Sequence, residues 1–299
     1  MYLYGENMSQ IKSPESNPLS KYFRQSKLYI SLPSQGKHYP EGSIDFPESG
    51  EVEVYSMTAK DELLFKTPDA LLNGQATVDV IQSCIPAIKD AWKLPSVDLD
   101  VCLIAIRLAT YGEQMTLKIK TPVTGEEKEM GVDLRQLLDQ FANIEYNDVV
   151  MLPEMTIRLR PLNYREFTDG ALKTFEEQRI FNVVNDDTMK EEDKLQAFTN
   201  SFAKLTELTV DMMVKGIKSI EIQQENDDPV LVTNRTHILD FIKNADKTFF
   251  NSIQKHLEAE KEKFTLKPLI AQATDEEKLQ GVPETYEVPI TFDQSNFFE

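Results

Sequence analysis

One stretch limits the folds open to this chain more than any other: SVDLDVCLIAIRLATYG, residues 96–112. Its spacing predicts a helix over 97–111 that begins at Ser96 as the N-cap and ends at Gly112. Apolar residues surround nearly the whole circumference, and a helix of that kind is buried. The chain must therefore build a core around this helix, and Arg107 in its middle must extend to solvent or meet a carboxylate.

Short β and helical segments flank this helix in the sequence. Alternating apolar and polar residues predict strands, and capping residues followed by chain breaks predict short helices. The predicted strands are 28–32, 51–57, 115–120 with a return near 130–132, and 154–162. The predicted short helices are 58–66, a second one that begins at Thr67-Pro68 and breaks at Asn73-Gly74, 76–85 and 134–144.

Helical periodicity dominates from Asn163 onward, where Asn163 and Glu166 form the pattern of a capping box. The predicted elements are a helix over 163–184, a second helix after a capping box at Thr188 and Glu191, strands at 217–223 and 230–233, and helices at 235–244 and 247–263. The second helix carries apolar residues three and four apart: Leu195, Phe198, Phe202, Leu205 and Met212. Two interpretations are open for that spacing, an antiparallel hairpin within the chain or a coiled-coil seam between subunits.

These elements predict an α+β fold, with small antiparallel β-sheet elements and short helices followed by antiparallel helical hairpins. We expect four parts along the 299 residues. An extended N-terminal arm (1–27) precedes a β-rich core domain (28–162) that holds the buried helix. A helical region with a short β interlude (163–264) follows, and then a C-terminal tail (265–299) that is irregular apart from a strand at 286–292.

The charge balance excludes several classes of partner. The chain has 32 Lys and Arg against 50 Asp and Glu, a net charge of -18. Proteins that bind nucleic acids or anionic membranes neutralise phosphates with basic side chains, so neither partner is expected. No apolar run approaches the length of a membrane span and no signal peptide is visible, which predicts cytoplasmic synthesis. Cys84 and Cys102 lie in apolar helical patterns, as buried free thiols of a reducing compartment do.

Motifs of catalysis and metal binding are missing from the sequence. It contains no P-loop, no GxSxG and no HExxH pattern, and no histidine lies within four residues of another histidine or a cysteine. The acidic run NDDTMKEED (185–193) lacks the glycine and the ligand spacing of an EF-hand loop. We therefore predict no catalytic, cofactor-binding or metal-binding residues. An enzyme whose site is assembled from distant residues is the third hypothesis for the function.

The two ends of the chain carry the candidate contact residues. The arm stretch LSKYFRQSK (19–27) interleaves Tyr22 and Phe23 with basic residues, and folding onto the acidic body of the chain explains that pattern better than nucleic-acid binding. The tail stretch YEVPITFDQSNFFE (286–299) begins with the alternation of a half-buried strand. That strand either joins this chain's own sheet, beside 28–32 or 51–57, or extends a partner's sheet. Aromatic anchors dominate interface energies, so the predicted partner-binding residues are Tyr22, Phe23, Phe292, Phe297 and Phe298.

Three parts of the chain together resemble a known family. They are NPLSKYFRQSKLYISLPSQGKHYP (17–40), VYSMTAKDELLFKTPDALLNGQATVDVIQSCIP (54–86) with IAIRLATYG (104–112), and YEVPITFDQSNFF (286–298). Together they are similar to the baseplate hub proteins of contractile-tailed, T-even-like bacteriophages. The block MTAKDE…KTPDALLNG is the most specific part of the resemblance, which spans nearly the whole chain from Asn17.

The resemblance implies a non-enzymatic hub component, either structural or assisting hub assembly through contacts between proteins. Its implied partners are other baseplate and tail hub proteins, with a homo-oligomer as a further form of assembly and no cofactor. The alternative is a transient chaperone for another tail or hub protein, absent from the mature virion. The implied location is the host cytoplasm during assembly, with the tail baseplate of the virion as the destination of a structural subunit.

Overall fold

The computed structural model describes residues 17, 19–66, 74–184, 190–224 and 228–290. The strands are β1 (Ser26–Ser31), β2 (Glu51–Tyr55), β3 (Gln114–Lys120), β4 (Glu127–Asp133), β5 (Val149–Leu152), β6 (Met155–Leu159), β7 (Ile217–Ile222), β8 (Val230–Val232), β9 (Leu269–Gln272) and β10 (Thr285–Val288). The helices are α1 (Ala59–Phe65), α2 (Gln75–Cys84), α3 (Ser96–Tyr111), α4 (Leu134–Asp139), α5 (Tyr164–Val184), α6 (Glu191–Gly216), α7 (Arg235–Asn244), α8 (Lys247–Lys263) and α9 (Asp275–Leu279), with 3-10 turns at Ser20–Tyr22 and Ala91–Lys93. Small antiparallel sheets and helices confirm the predicted α+β fold.

Helix α3 lies at the centre of the largest hydrophobic core, as its apolar circumference predicts. The helix ends at Gly112, whose φ of 94° favours glycine. The predicted N-cap was wrong, because the N-cap position is Pro95. The Ser96 N–H instead donates to the Leu162 carbonyl at 2.8 Å, which ties the start of α3 to the segment before α5. Arg107 is buried, and its guanidinium lies 5.2 Å from the centre of the Tyr111 ring.

The two predicted hairpin elements of the core form as expected. Strands β1 and β2 pair antiparallel, with Ile30 opposite Val52, and the buried side of β2 packs on α3. Strands β3 and β4 pair in register from Gln114 opposite Asp133 to Lys120 opposite Glu127. The capping box of Thr58 and Asp61 at α1 is present in both directions. The predicted helix start at Thr67-Pro68 lies outside the described residues.

A four-stranded antiparallel sheet in the order β5-β6-β7-β8 supports a second core. Strand β5 was not predicted. Ile157, Ile217 and Ile220 of this sheet pack with Ile238 of α7 and Ile253 of α8. The sheet joins strands from both sides of the boundary drawn at 162, and the four-part domain division stays a prediction.

Helices α5 and α6 form the antiparallel pair that one interpretation predicted, since Gly170 packs on Met212 while Glu177 meets Ser201. The capping box at Asn163 and Glu166 is confirmed, with hydrogen bonds of 3.0 and 2.9 Å. The second predicted capping box, at Thr188, lies outside the described residues.

The C-terminal segment is more ordered than the sequence predicts. The expectation of an irregular 265–285 was wrong, because β9 and α9 both lie there and Thr274 and Glu277 form a capping box. Strand β10 pairs within the chain, with Tyr286 opposite Ala271 of β9 rather than beside β1 or β2. Its buried side packs on Ile119 of β3 in a third hydrophobic cluster. The structure describes this strand over Thr285–Val288, shorter than the predicted 286–292.

Candidate protein-contact site

The described end of the N-terminal arm presents three large apolar side chains to solvent. We call Leu19, Tyr22 and Phe23 the arm patch. Tyr22 is 74% exposed and Phe23 is 58% exposed, on a 3-10 turn that covers Ser20–Tyr22. Lys21 Nζ lies 4.9 Å from the centre of the Tyr22 ring. Exposed apolar groups that are adjacent, rather than scattered singly, are typical of contact surfaces.

Arg24, the next residue, fixes the arm to the body of the protein. Its Nη1 donates to the Ser56 carbonyl at 2.6 Å and to Asp61 Oδ2 at 3.3 Å. Its Nη2 donates to the carbonyl and the hydroxyl of Ser83, at 2.5 and 2.9 Å. The planar guanidinium fork can serve several acceptors at once, which an ammonium cannot do in the same way. The arm patch therefore extends from an anchored base.

Asp61 receives this anchor at a buried position in the first turn of α1. Its Oδ2 also accepts hydrogen bonds from the Thr58 backbone N–H at 2.7 Å and from the Ser83 hydroxyl at 3.1 Å. A buried carboxylate needs such donors and a counter-charge, and Arg24 supplies the charge. Asp61 therefore has two roles: it caps the first turn of α1, and it binds Arg24 of the arm.

A groove of about 530 Å³ opens beside the arm patch and is lined by Phe23, Arg24, Tyr55, Thr58 and Pro86. The Arg24 guanidinium lies 5.8 Å from the centre of the Tyr55 ring. The Tyr55 hydroxyl donates to Glu53 at 2.7 Å. An apolar side chain of a partner could enter this groove. The Arg24 guanidinium and the Tyr55 hydroxyl could then orient a polar group beside it by hydrogen bonding.

The structure brings together two of the five predicted contact residues, Tyr22 and Phe23. The other three, Phe292, Phe297 and Phe298, lie outside the described residues and stay predictions. The sequence reasoning did not single out Arg24, Tyr55 or Pro86. Arg24 follows Phe23 in the aromatic and basic stretch 19–27, and this position was the available signal. Its acceptors on Ser56 and Ser83 lie 32 and 59 positions away.

The groups most often used in catalysis have structural contacts here. The His38 ring lies edge-on to Tyr146 at 5.6 Å, and His256 Nε2 lies 2.8 Å from the Asn147 carbonyl oxygen. Burial raises the pKa of the Cys84 thiol to about 12, which keeps it protonated. Within the described part of the chain, no group of three His, Cys, Asp or Glu side chains could hold a metal ion. Asp186 and Asp187 lie outside that part.

The helices that the structure describes include none long and apolar enough to cross a bilayer.

An anchored arm that exposes adjacent aromatic side chains is a feature expected of a chain that contacts other proteins. A protein-family model described as T4 bacteriophage base plate protein matches residues 27–282, and the chain belongs to this family. Membership implies a place in the phage tail and contacts with other tail proteins. Neither the curated proteins nor the solved structures gave a match.

Proposed function

We propose that this chain is a non-enzymatic component of the phage baseplate hub, where it is structural or assists hub assembly through contacts with other proteins. The observation that carries the proposal is the arm patch, because exposed aromatic groups on a base held by Arg24 suit recognition of a protein surface. Family membership supports a baseplate role in general. The resemblance of the MTAKDE block to hub proteins supports the hub in particular.

The contacts of the buried carboxylates support a role without catalysis. Asp61 anchors the arm, Asp98 accepts hydrogen bonds from Ser34, and Glu277 accepts two hydrogen bonds from Lys128 at 2.9 and 3.0 Å. Buried carboxylates require such donors and counter-charges, so structural pairing accounts for these three groups without a catalytic role. These carboxylates are engaged in holding segments of the chain together.

The contact surfaces in this proposal are the arm patch at one end and the aromatic residues Phe292, Phe297 and Phe298 at the other. The partners are other hub and tail proteins, and the acidic surface keeps the free chain soluble in the host cytoplasm before it meets them. Neither nucleic acid nor membrane is among the partners proposed, in keeping with the net charge of -18.

Quantitative mass spectrometry of purified, intact phage particles tests the proposal, with this chain counted against a known baseplate component. A fixed copy number per particle is the expected result for a structural hub subunit. Absence from the particle, together with presence in the lysate of infected cells, would instead identify the alternative, a transient chaperone of hub assembly. Absence from both the particle and every complex with tail proteins in the lysate would overturn the proposal.

A further inference from the structure

The α5–α6 hairpin carries a set of large apolar side chains that are exposed to solvent. The seam between the two helices includes both apolar and polar contacts. Met212 packs on Gly170, and the Ser201 hydroxyl donates to Glu177 Oε2 at 2.7 Å. Lys204 Nζ pairs with Glu177 Oε1 at 3.0 Å. Five other large apolar residues of the hairpin are exposed.

Those residues share one face. We call them the hairpin stripe: Phe167 and Phe175 of α5, and Leu195, Phe198 and Phe202 of α6. Each residue advances about 100° around a helix. If Gly170 marks the seam at 0°, Phe167 and Phe175 lie at about 60° and 140° around α5. Counting from Ser201, the three α6 residues lie at about 60–120° in the same rotational sense. Because the helices run antiparallel, equal rotation from the seam places both sets on the same side of the hairpin.

The exposure of the stripe is high for side chains of this kind. Phe175 is 60% exposed, Phe202 is 62% exposed and Leu195 is 68% exposed. Gln178 continues the stripe on α5, and Thr206 and Thr209 continue it on α6. A helix pair with one apolar face can form half of a four-helix bundle, in which a second pair covers that face.

Charge separates this face from the rest of the hairpin. The same count places five carboxylates on the opposite face of the two helices: Asp169, Glu176, Asp193, Glu207 and Asp211. Among the described side chains of these helices, none that is charged lies within the stripe. Two chains with a net charge of -18 each can therefore bring these faces together without placing like charges in contact.

The available area suits a second copy of the same hairpin. The 21 residues of α5 make a helix about 30 Å long, and two adjacent helices are about 20 Å wide. Two such faces in contact bury on the order of 1,200 Å² in total, which is at the lower limit for a specific, stable interface. A shared neutral face of this kind favours the self-complementary contact of a twofold dimer.

We propose that the hairpin stripe is a self-association surface, through which two copies of this chain pack their α5–α6 hairpins face to face. This inference stands whether the chain is a permanent hub subunit or an assembly factor, since it concerns the contact between copies.

Sedimentation of the full-length chain over a wide range of concentration tests the inference. A monomer–dimer equilibrium is expected, and Phe175→Glu or Phe202→Glu should weaken the dimer by about thirtyfold or more, as for central aromatic residues of interfaces. Asn200→Glu is the matched control, because it adds the same charge to α6 away from the stripe and should leave the dimer intact. Circular dichroism shows whether each variant keeps its fold.

Salt gives a second readout, since screening reduces the repulsion between two acidic chains. The dissociation constant of the dimer should stay the same or fall as the salt concentration rises. A chain that stays monomeric at every concentration, or a dimer that both variants leave unchanged, would overturn the inference. So would protection of the stripe only in complex with a different baseplate protein, which would assign this face to that partner.

Cross-linking reports directly on which face is shared. Both native cysteines are fully buried, so Gln178→Cys introduces an accessible thiol at the middle of the stripe. A short bis-maleimide should join two copies of this variant, and it should not join two copies of Asn200→Cys. Equal yields from the two variants would contradict the proposed face.

Discussion

Ser34 and Asp98 lie 64 positions apart in the chain, and two hydrogen bonds join them. The Ser34 backbone N–H donates to Asp98 Oδ1 at 2.7 Å, and its hydroxyl donates to Oδ2 at 2.5 Å. The Tyr39 hydroxyl donates to the same carboxylate at 3.0 Å. Asp98 is fully buried in the first turn of α3, so the carboxylate holds the turn after β1 against the central helix.

The ionisation of Asp98 should make the stability of the protein depend on pH. Burial raises the pKa of Asp98 to about 6, although the hydrogen bonds from Ser34 and Tyr39 act to lower it. In the unfolded chain the pKa is about 3.9. Between these values the folded state binds more protons, so the free energy of unfolding falls as pH rises through this window. The fall due to Asp98 is about 3 kcal/mol.

Two variants at this contact should change the pH dependence of the free energy of unfolding in opposite directions. Asp98→Asn cannot titrate and should flatten the fall in unfolding free energy between pH 4 and pH 6. Ser34→Ala removes the hydroxyl that stabilises the ionised form, so it should raise the pKa of Asp98 and steepen the fall. Denaturant unfolding at a series of pH values measures both, with Glu284→Gln as an exposed control. An unchanged slope in Asp98→Asn would mean that this carboxyl does not titrate in that window.

The sequence predicted the elements whose periodicity is long enough to see. Helix α3 has sixteen residues and the β3 and β4 strands have seven each, and all three were found. Strands β5 and β9, with the sequences VVML and LIAQ, do not alternate apolar and polar residues, and both were missed. Their positions depend on pairing with β6 and β10, which local patterns do not record.

The candidate site was predictable only in its exposed part. The aromatic character of Tyr22 and Phe23 could be read directly, because it is a property of adjacent residues. The anchoring of Arg24 could not, since Ser56, Asp61 and Ser83 come near it only after folding. The same limit applies to the pair of Ser34 and Asp98, because local sequence patterns do not indicate a partner 64 positions away.

Loss of the Arg24 guanidinium should loosen the arm. Arg24→Ala removes its hydrogen bonds to the Ser56 and Ser83 carbonyls and leaves the buried Asp61 carboxylate without its counter-charge. The expected loss is about 2 kcal/mol in the free energy of unfolding, reduced from the value for a fully buried pair because Arg24 is partly exposed. Hydrogen exchange should rise in β1, which follows Arg24 directly.

Arg24→Lys separates the fork geometry from the charge. One ammonium cannot reach all the acceptors that the guanidinium serves, so we expect an intermediate loss of stability. Lys21→Ala is the matched control on the same exposed segment, and it should change the stability by less than about 0.5 kcal/mol. A lysine variant as stable as the original chain would show that charge alone holds the arm.

Deletion of residues 293–299 should separate the contact role of the tail from its structural role. The described segment before it is fixed, because Tyr286 and Val288 are buried in the third cluster and Glu277 binds Lys128. We therefore expect the shortened chain to keep a cooperative thermal transition at an unchanged temperature and to lose binding to its hub partner. Double substitution of Phe297 and Phe298 by alanine should give the same result, if these two residues are the anchors.

A longer deletion, of residues 285–299, provides the contrast for this experiment. It removes β10 and leaves β9 without its paired strand, so Ile119 and Ala271 lose their cover and the thermal transition should broaden or fall. Calorimetry of the two shortened chains, with partner capture measured alongside, distinguishes the roles. Loss of the transition already in the shorter deletion would place the terminal aromatic residues in this chain's own core, and the tail would then hold the fold rather than a partner.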